Sequence, residues 1–445
     1  MSKYSEMYSG KLILAPMVRI GTLPMRLLAL ENGADLVYTE ELIDWKLLRS
    51  FRRENPALGT VDFVDRSDGT VIFRTCEKER GRVILQIGTS NPDRAFQVAR
   101  LIENDVAGID INMGCPKEFS VKGGMGVALL SKVDNAKAIL KKLVSSIRRP
   151  ITCKIRVFQD EEKTLQLCKD FESCGIAAIA VHGRTKDERP QHSNRNDLLK
   201  KISQLLTIPV IANGGSREIE TYDDILKFRK ATGCSSVMVA RSAEWNASVF
   251  RKRGKLPLDT MIRSYLKLAI DYDNSPSNTK YCIQNMLREL QESELGKKFL
   301  ETQTLGQMSE LWDLGDYYRE VSAKLDKSGL IGRRDVVPIG YKKPCLDDTV
   351  EMECAFIRSL YMSDPDLPKT KLLNWASSKG YKKPVYQTVQ IDKLFKAVVL
   401  LNEKKYTSSF WEKSKRWAEQ GAAIVCLCDN GVFDKSVLKE NGVLR

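Results

Sequence analysis

Apolar residues in the first 240 positions occur in short continuous runs, and longer amphipathic stretches separate most of these runs. The runs are rich in Val, Ile and Leu, and a stretch such as NPDRAFQVARLIEND repeats its apolar positions at helical spacing. Strands that are apolar on both faces and alternate with helices are typical of a parallel sheet. Eight such units predict an α/β fold, a (β/α)8 TIM barrel over residues 9–245. The eight runs are KLILAP, DLVYTE, RVILQIG, GIDINMG, PITCKIR, AIAVHG, PVIANGG and SVMVAR.

Two further regions break this rhythm. The segment TVDFVDRSDGTVIFRT alternates polar and apolar residues around an SDG turn, which predicts an inserted hairpin. After the eighth run the spacing becomes helical, in LDTMIRSYLKLAIDYD and NTKYCIQNMLRELQES. Residues 246–335 are therefore predicted to form a small all-α domain.

The C-terminal part of the chain is predicted to contain a linker, a separate module and a tail. Residues 336–365 show no clear periodicity and are interpreted as a linker. Residues 366–430 then give a helix, three strands and a helix, an α-β-β-β-α pattern, and residues 431–445 are expected to be a tail.

The net charge and the cysteine content of the chain indicate the kind of binding partner and the cellular compartment to expect. Lys and Arg number 71 against 57 Asp and Glu, a net charge of +14, which favours a polyanion such as nucleic acid. The 11 cysteines are scattered, and the N-terminus MSKYSEMYSG lacks a signal-peptide pattern. Free thiols, a reducing compartment and a cytoplasmic location are expected. Neither a metal site nor a membrane span is predicted.

Polar residues follow the predicted strands at the edge where a barrel carries its active site. Gly214 and Gly215 end strand seven and Arg241 ends strand eight, a place where barrels commonly bind a phosphate. The plainer interpretation of the two glycines is a turn at the barrel rim. Arg241 in the neighbouring loop favours the phosphate site.

Three more strand ends carry candidate ligand contacts. Lys154 could stabilise the anionic form of a reduced flavin, or it could be a rim lysine with its ammonium group in solvent. His182 could contact a ligand or be an ordinary rim histidine. Gln86 could hydrogen-bond a ring carbonyl, or serve only the barrel structure.

Cys115 lies between Gly114 and Pro116, just after the fourth run. Most cysteines of this kind are buried structural residues, but turn-forming neighbours are unusual in a core. Since no helical Cys-His pairing accompanies it, a protease-like nucleophile is disfavoured. A neutral thiol with a pKa near ~8.5 can instead donate a proton.

The strand-end residues described above lie in short motifs that resemble those of the tRNA-dihydrouridine synthases over about residues 9–335. The resemblance implies FMN as the cofactor and NADPH as the reductant. It implies that Cys115 donates a proton to uracil C5 while the flavin delivers hydride to C6, and that Asn112, Arg156 and Arg184 contact the tRNA. The matching motifs are APM at 15–17, NMGCP at 112–116, KGGMGVALL at 122–130, CKIR at 153–156, VHGR at 181–184 and ANGG at 212–215. By the same resemblance the flavin contacts are Pro16, Met17, Val18, Gln86, Lys154, His182, Asn213, Gly214, Gly215, Ala240 and Arg241.

The C-terminal module carries basic residues on both of its predicted helices. Lys369 and Lys371 lie in the first helix, and Lys415 and Arg416 open the last one, where they could meet RNA phosphates or form a solvated face. The module resembles a double-stranded-RNA-binding domain. The usual Gly-Pro-x-His loop is replaced by VQIDKL, so the duplex contact normally made there is in doubt.

The barrel and the module together resemble animal members of the family that act on uridine 20 of the tRNA D-loop. Two alternatives remain open. One is an FMN-dependent reductase of a free pyrimidine or another small molecule, against which the basic module argues. The other is a non-catalytic RNA-binding protein, against which the combination of Cys115, Lys154 and His182 argues.

Overall fold

The structure is a computed structural model that describes residues 4–327, 348–361, 364–391, 393–440 and 443–444. The chain divides into two compact units. The first comprises residues 4–48, 52–63 and 72–325, and the second comprises residues 49–51, 64–71 and the described residues from 326 onward.

The first unit contains a closed parallel barrel of eight strands. The strand order around the barrel is β1-β11-β10-β9-β8-β7-β6-β2, which confirms the predicted TIM barrel. The interruption predicted as a hairpin is a three-stranded sheet in the order β3-β4-β5. The strands are β1 (Leu12–Leu14), β2 (Leu36–Ile43), β3 (Ser50–Asn55), β4 (Thr60–Asp65), β5 (Val71–Cys76), β6 (Val83–Gly88), β7 (Gly108–Met113), β8 (Ile151–Arg156), β9 (Ala178–His182), β10 (Val210–Asn213) and β11 (Ser236–Val239).

The helices of the barrel begin at polar caps and bury one face. Asn91 accepts backbone hydrogen bonds from Asp93 and Arg94, and Thr221 forms a capping box with Asp224. Successive side chains along a barrel strand alternate between two hydrophobic clusters. One cluster lies inside the barrel and the other lies between the strands and the helices. The helices are α1 (Ser5–Tyr8), α2 (Leu23–Glu31), α3 (Asp44–Leu48), α4 (Pro92–Ile102), α5 (Glu118–Lys122), α6 (Val133–Ser146), α7 (Glu161–Glu172), α8 (Asn196–Leu205), α9 (Tyr222–Thr232) and α10 (Arg241–Trp245).

Five more helices complete the first unit, as the helical spacing predicts. Trp312 is fully buried and meets the edge of the Phe299 ring at a centroid distance of 5.6 Å. The domain boundary predicted at residue 335 lies outside the described residues. The helices are α11 (Leu258–Asp271), α12 (Pro276–Leu287), α13 (Glu294–Glu301), α14 (Leu305–Glu310) and α15 (Gly315–Lys327).

The second unit contains the predicted helix, three strands and helix. The last of these helices packs on the sheet and the first packs against the last, while Trp417 meets the Phe356 ring edge-on at a centroid distance of 5.8 Å. The sheet order is β12-β15-β14-β13. The elements are β12 (Thr349–Met352), α16 (Pro368–Ser378), β13 (Val385–Ile391), β14 (Leu394–Leu401), β15 (Lys404–Ser408), α17 (Lys415–Asp429) and α18 (Lys435–Glu440).

The linker prediction for residues 336–365 is wrong over residues 349–361. Strand β12 pairs in parallel with β15 as a fourth strand, and Cys354 and Phe356 are buried in the core of the module. Residues 431–445 also contribute more than a tail, because they form α18 and Leu444 bridges to Cys354. All four residues of β12 are half-buried, so buried and exposed positions do not alternate along it. Because that alternation is the usual signal of a strand, the sequence does not predict one here.

Candidate active site at the carboxyl edge of the barrel

The register of the parallel strands brings the predicted site residues together at one edge. Asn112 of β7 pairs with Lys154 of β8, Arg156 of β8 pairs with His182 of β9, and His182 in turn pairs with Asn213 of β10. The predicted convergence of these residues is therefore found in the structure.

Gln86 and Asn112 belong to a buried polar chain. Gln86 Nε2 donates to Asp110 Oδ2 over 2.8 Å, and Asn112 Nδ2 donates to Gln86 Oε1 over 3.0 Å. Thr152 Oγ1 donates to the other oxygen of Asp110 over 2.7 Å. Asp110 is fully buried and was not predicted as a site residue.

The Cys115 turn is held from several sides. Asn112 Oδ1 accepts from the backbone N–H of Gly114 at 3.0 Å and of Cys115 at 2.9 Å, while Arg156 Nε donates to Gly114 O over 2.9 Å. Gly126 has a φ of +59°, and a Cβ there would run into Cys115 O. The glycine thus permits the close approach that fixes the turn.

The half-buried thiol of Cys115 is in the state that an acid requires. Burial raises its pKa, and the nearby carboxylate of Glu41 raises it further. The group therefore stays protonated at neutral pH and can give a proton.

Glu41 is a site residue that the sequence analysis missed. It lies near the end of β2, is 9% exposed, and accepts a hydrogen bond from Ser120 Oγ over 3.3 Å. The Cys115 thiol faces the same carboxylate, whose pKa is raised by burial. Its place at a strand end was visible in the sequence, but its contact with the loop after β7 was not.

The pKa values of Lys154 and His182 are both lowered in the site. Burial, together with Arg156, lowers the pKa of Lys154 to about 8, and none of the described residues makes a hydrogen bond or ion pair to its Nζ atom. Burial and the surrounding cations, with Lys154 first, hold the pKa of His182 well below its usual range. The imidazole is therefore neutral at physiological pH.

Arg184, for which the resemblance implies a contact with tRNA, is buried. It is 2% exposed, and it donates to Gly214 O over 2.5 Å and to His192 O over 2.8 Å. The guanidinium thereby ties the loop after β9 to the loop after β10. Arg156 is also partly committed to the protein, since it donates to Thr185 O over 2.9 Å as well as to Gly114 O.

The loops after β10 and β11 are those for which an anion cradle is predicted. Gly214 has a φ of +117°, a Cβ there would collide with the side chain of Asn194, and a Cβ on Gly215 would approach Ile219 to 2.7 Å. Arg241 is half-buried beyond Ala240, and its guanidinium hydrogen-bonds no residue within the described ranges. A backbone cradle next to an uncommitted guanidinium fits a phosphate group.

The remaining predicted flavin contacts lie in the loop after β1 and at the end of β10. Pro16 and Met17 are half-buried and Val18 is exposed, while Met17 O accepts from Gly21 N over 2.9 Å. Asn213 Nδ2 donates to Met238 O over 2.9 Å, which joins β10 to β11.

The described part of the chain contains neither a metal-binding cluster nor a membrane-spanning helix. No group of three or more His, Cys, Asp or Glu side chains there could hold a metal ion. No helix there has both the length and the apolar character needed to cross a membrane.

The model of the dihydrouridine synthase family matches residues 13–304, which include all of the barrel but the first residue of β1. The chain belongs to the dihydrouridine synthase family. It is 40% identical over 291 residues to the tRNA-dihydrouridine(20) synthase [NAD(P)+] of Schizosaccharomyces pombe, a match covering 63% of this chain and 60% of the relative. The protein of the same name from Saccharomyces cerevisiae is 39% identical over 298 residues, 63% of this chain and 78% of that protein. The match thus spans less than two thirds of the fission yeast relative.

A second model, that of the double-stranded-RNA-binding motif, matches residues 368–429. A crystal structure of a variant of the double-stranded-RNA-binding domain of human tRNA dihydrouridine synthase (20) is 40% identical. That match covers 20% of this chain and 96% of that chain, with a TM-score of 0.19.

The predicted RNA-contacting cations of the module fall into two classes. Lys369 Nζ donates to Glu419 over 2.5 Å and Lys371 pairs with Asp364, so both charges are partly neutralised inside the module. Lys415 and Arg416 are exposed, and neither has an ion-pair partner in the part of the chain that the structure describes.

Proposed function

We propose that this chain is an FMN-dependent tRNA-dihydrouridine synthase that uses NADPH to reduce the C5=C6 bond of a D-loop uridine, at position 20. The observation that carries the proposal is a protonated thiol, that of Cys115, held on a fixed turn at the same edge of the barrel as loops that suit an anion, in a barrel of this family.

The residues present fit FMN. The cradle of Gly214 and Gly215 with Arg241 suits the phosphate, and Lys154 suits the polar side of the ring. Pro16, Met17, Val18 and Gln86 are assigned to the ring, and His182, Asn213 and Ala240 to the ribityl phosphate. Bound FMN, once reduced by NADPH, would supply a hydride to uracil C6.

Cys115 supplies the other half of the reduction. Its S–H bond breaks as a C–H bond forms at uracil C5, and the resulting thiolate regains a proton from solvent. The raised pKa of the thiol keeps the acid form populated between turnovers. Asn112, which holds the Cys115 turn, is assigned to the same base.

The module binds the tRNA body. Its exposed cations, Lys415 and Arg416, suit phosphate oxygens along an RNA backbone. A substrate as small as a free pyrimidine has no use for such a surface, which favours tRNA over the small-molecule alternative.

Replacement of the thiol tests the proposal. Cys115→Ala should retain FMN and NADPH oxidation, yet slow dihydrouridine formation on tRNA by roughly 10²–10⁴-fold under single turnover, the usual contribution of a general acid. Cys174→Ala, which removes a buried thiol outside the site, is the matched control. A Cys115 variant that modifies tRNA at the parent rate would falsify the assignment, and equal reduction of free uridine and tRNA would favour the small-molecule reductase.

A further inference from the structure

Trp45 is a large aromatic side chain that the fold leaves in solvent. It lies in α3, just after the end of β2 at the carboxyl edge of the barrel, and 63% of it is exposed. Aromatic side chains supply much of the buried area in protein cores and interfaces. An indole left in water beside a site is therefore a candidate contact for the ligand of that site.

The indole of Trp45 is supported by a buried ion pair. The carboxylate of Asp44 is buried, and its Oδ1 accepts from the backbone N–H of Trp45 over 2.6 Å. Its Oδ2 accepts from Arg94 Nε and from Thr89 Oγ1, each over 2.8 Å. The guanidinium of Arg94 lies over the indole, 4.7 Å from the ring centroid. An arginine that is fixed from beneath thus covers one face of the ring, and the opposite face is open to solvent.

A short series of contacts joins this indole to the loop that contains Cys115. Arg94 Nη2 donates to Ser90 Oγ over 3.4 Å. Ser90 in turn packs on the loop after β7, because a Cβ on Gly124 of that loop would approach the Ser90 Cβ to 3.3 Å. Cys115 lies in the same loop. The open face of the indole is therefore at the edge of the barrel where the thiol lies.

The charges next to the indole suit a nucleic acid. Lys46 follows Trp45 and is exposed, and its ammonium group has no hydrogen-bond or ion-pair partner among the residues that the structure describes. Proteins bind single-stranded nucleic acids by stacking bases on aromatic rings while nearby cations meet the phosphates. An apolar protein surface would cover the ring but would leave the charge of Lys46 without a partner.

We propose that Trp45 stacks on an unpaired base of the RNA substrate and that Lys46 meets a phosphate of the same RNA loop. This inference rests on the proposed function, which brings the D-loop of a tRNA to this edge of the barrel. The target uridine is assigned to the site beside Cys115, so the base on Trp45 belongs to another nucleotide of the loop. Every base has an aromatic face, so the contact adds affinity without reading the sequence.

The affinity of the FMN-loaded full chain for tRNA, titrated at several salt concentrations, measures this contact. Trp45→Ala should weaken binding by roughly tenfold, the usual scale for one stacked base. It should leave the log–log slope against salt unchanged, because stacking neutralises no phosphate. Lys46→Ala should instead make that slope shallower by about one. The flavin content and the melting temperature should stay near those of the parent, because both side chains are exposed.

Two conservative variants separate stacking from simple apolar contact. Trp45→Phe keeps an aromatic face and should retain most of the affinity of the parent. Trp45→Leu is apolar but cannot stack, so it should bind tRNA as weakly as Trp45→Ala.

Changes in the RNA identify the stacked nucleotide. A single abasic nucleotide is placed in turn at each D-loop position other than 20, and each tRNA is bound to the parent and to Trp45→Ala. At one position the missing base should weaken the parent by roughly tenfold. At that position it should not weaken Trp45→Ala further, because the same contact has already been removed.

Three results would each overturn stacking on Trp45. These are parental affinity in Trp45→Ala, equal affinities of the Trp45→Phe and Trp45→Leu variants, and abasic losses that add to the loss in Trp45→Ala at every D-loop position. Dihydrouridine formation by the parent is measured separately from binding. A parent that binds tRNA through Trp45 but does not reduce it would overturn the proposed function and leave the stacking contact in place.

Discussion

Basic side chains at the carboxyl edge of the barrel differ in their surroundings from those at the start of helix α17 in the module. At the carboxyl edge of the barrel, Arg156 and Arg184 are directed onto backbone carbonyls and Arg184 is buried. In the module, Lys415 and Arg416 open a helix with their charges in solvent. Under the proposed function, the first set shapes a site for one small anion, whereas the second offers charge to a long one. Basic side chains thus hold loops in place at the barrel edge, whereas in the module their charges are accessible to a binding partner.

The largest expected effect comes from removing a cation that the barrel uses as a structural tie. Arg184→Ala leaves Gly214 O and His192 O without their charged donor, and each such bond contributes about 1.5–3 kcal/mol. We expect a lower melting temperature and weaker FMN retention. Thermal unfolding and flavin content after gel filtration check this.

Arg416→Ala is the counterpart of that variant in the module. A surface change of this kind should alter stability by less than about 0.5 kcal/mol and leave the flavin in place. If both variants lower stability equally, or neither does, the distinction between the two regions fails.

The next effect concerns the salt dependence of tRNA binding. Lys415→Ala combined with Arg416→Ala should make the log–log slope of affinity against salt shallower by about two, because two fewer phosphates are neutralised on binding. Lys369→Ala should change the slope less, because its ammonium group is already paired with Glu419. Titrations at several salt concentrations give the slopes.

Removing the module as a whole sharpens the same comparison. Strand β12 belongs to the sheet, so the cut belongs between residues 327 and 349 rather than near 365. A chain ending at 327 should retain flavin and lose most of its tRNA affinity. An unchanged slope in both the double variant and the shortened chain would place the RNA contacts elsewhere.

The smallest expected effect is a shift in pH dependence. The charge of Glu41 raises the pKa of Cys115, so Glu41→Gln should lower that pKa and let the thiolate form at lower pH. Because the reaction needs the protonated thiol, the decline of the single-turnover rate on the alkaline side should begin at lower pH. Alkylation of Cys115 by iodoacetamide should accelerate over the same range.

Glu40→Gln provides the control for this shift. Glu40 also lies in β2, but its carboxylate accepts from the backbone N–H of Arg19 over 2.7 Å. Its replacement should leave the alkaline limb where it is. Identical pH profiles for the Glu41 variant and the parent would show that this carboxylate does not act on the thiol.

The sequence predicted what depends on local pattern and chain order. Continuous apolar runs gave the eight strands, and the rule that parallel strands end at one edge brought together Asn112, Lys154 and His182. Cys115 was identified because turn-forming neighbours are unusual around a core cysteine.

What the sequence did not predict depends on contacts between distant segments. Glu41 meets the loop after β7, and Lys369 meets Glu419, only once the fold is formed. Arg184 is a strand-end arginine like Arg241, but only the folded loops show that it is buried rather than available. A residue type at a strand end therefore indicates proximity to the site and not the partner that the side chain takes.

The bridge between Cys354 and Leu444 has a consequence for protein engineering. It brings the first strand and the final residues of the module side by side, with Val443 also buried. A fold whose ends meet can be inserted into a surface loop of a host protein without pulling the host's chain apart. Under the proposed RNA binding, residues 348–444 are therefore the segment to transfer when RNA affinity is to be added to an unrelated enzyme, whereas a segment that stops at residue 430 would lack one edge of the fold.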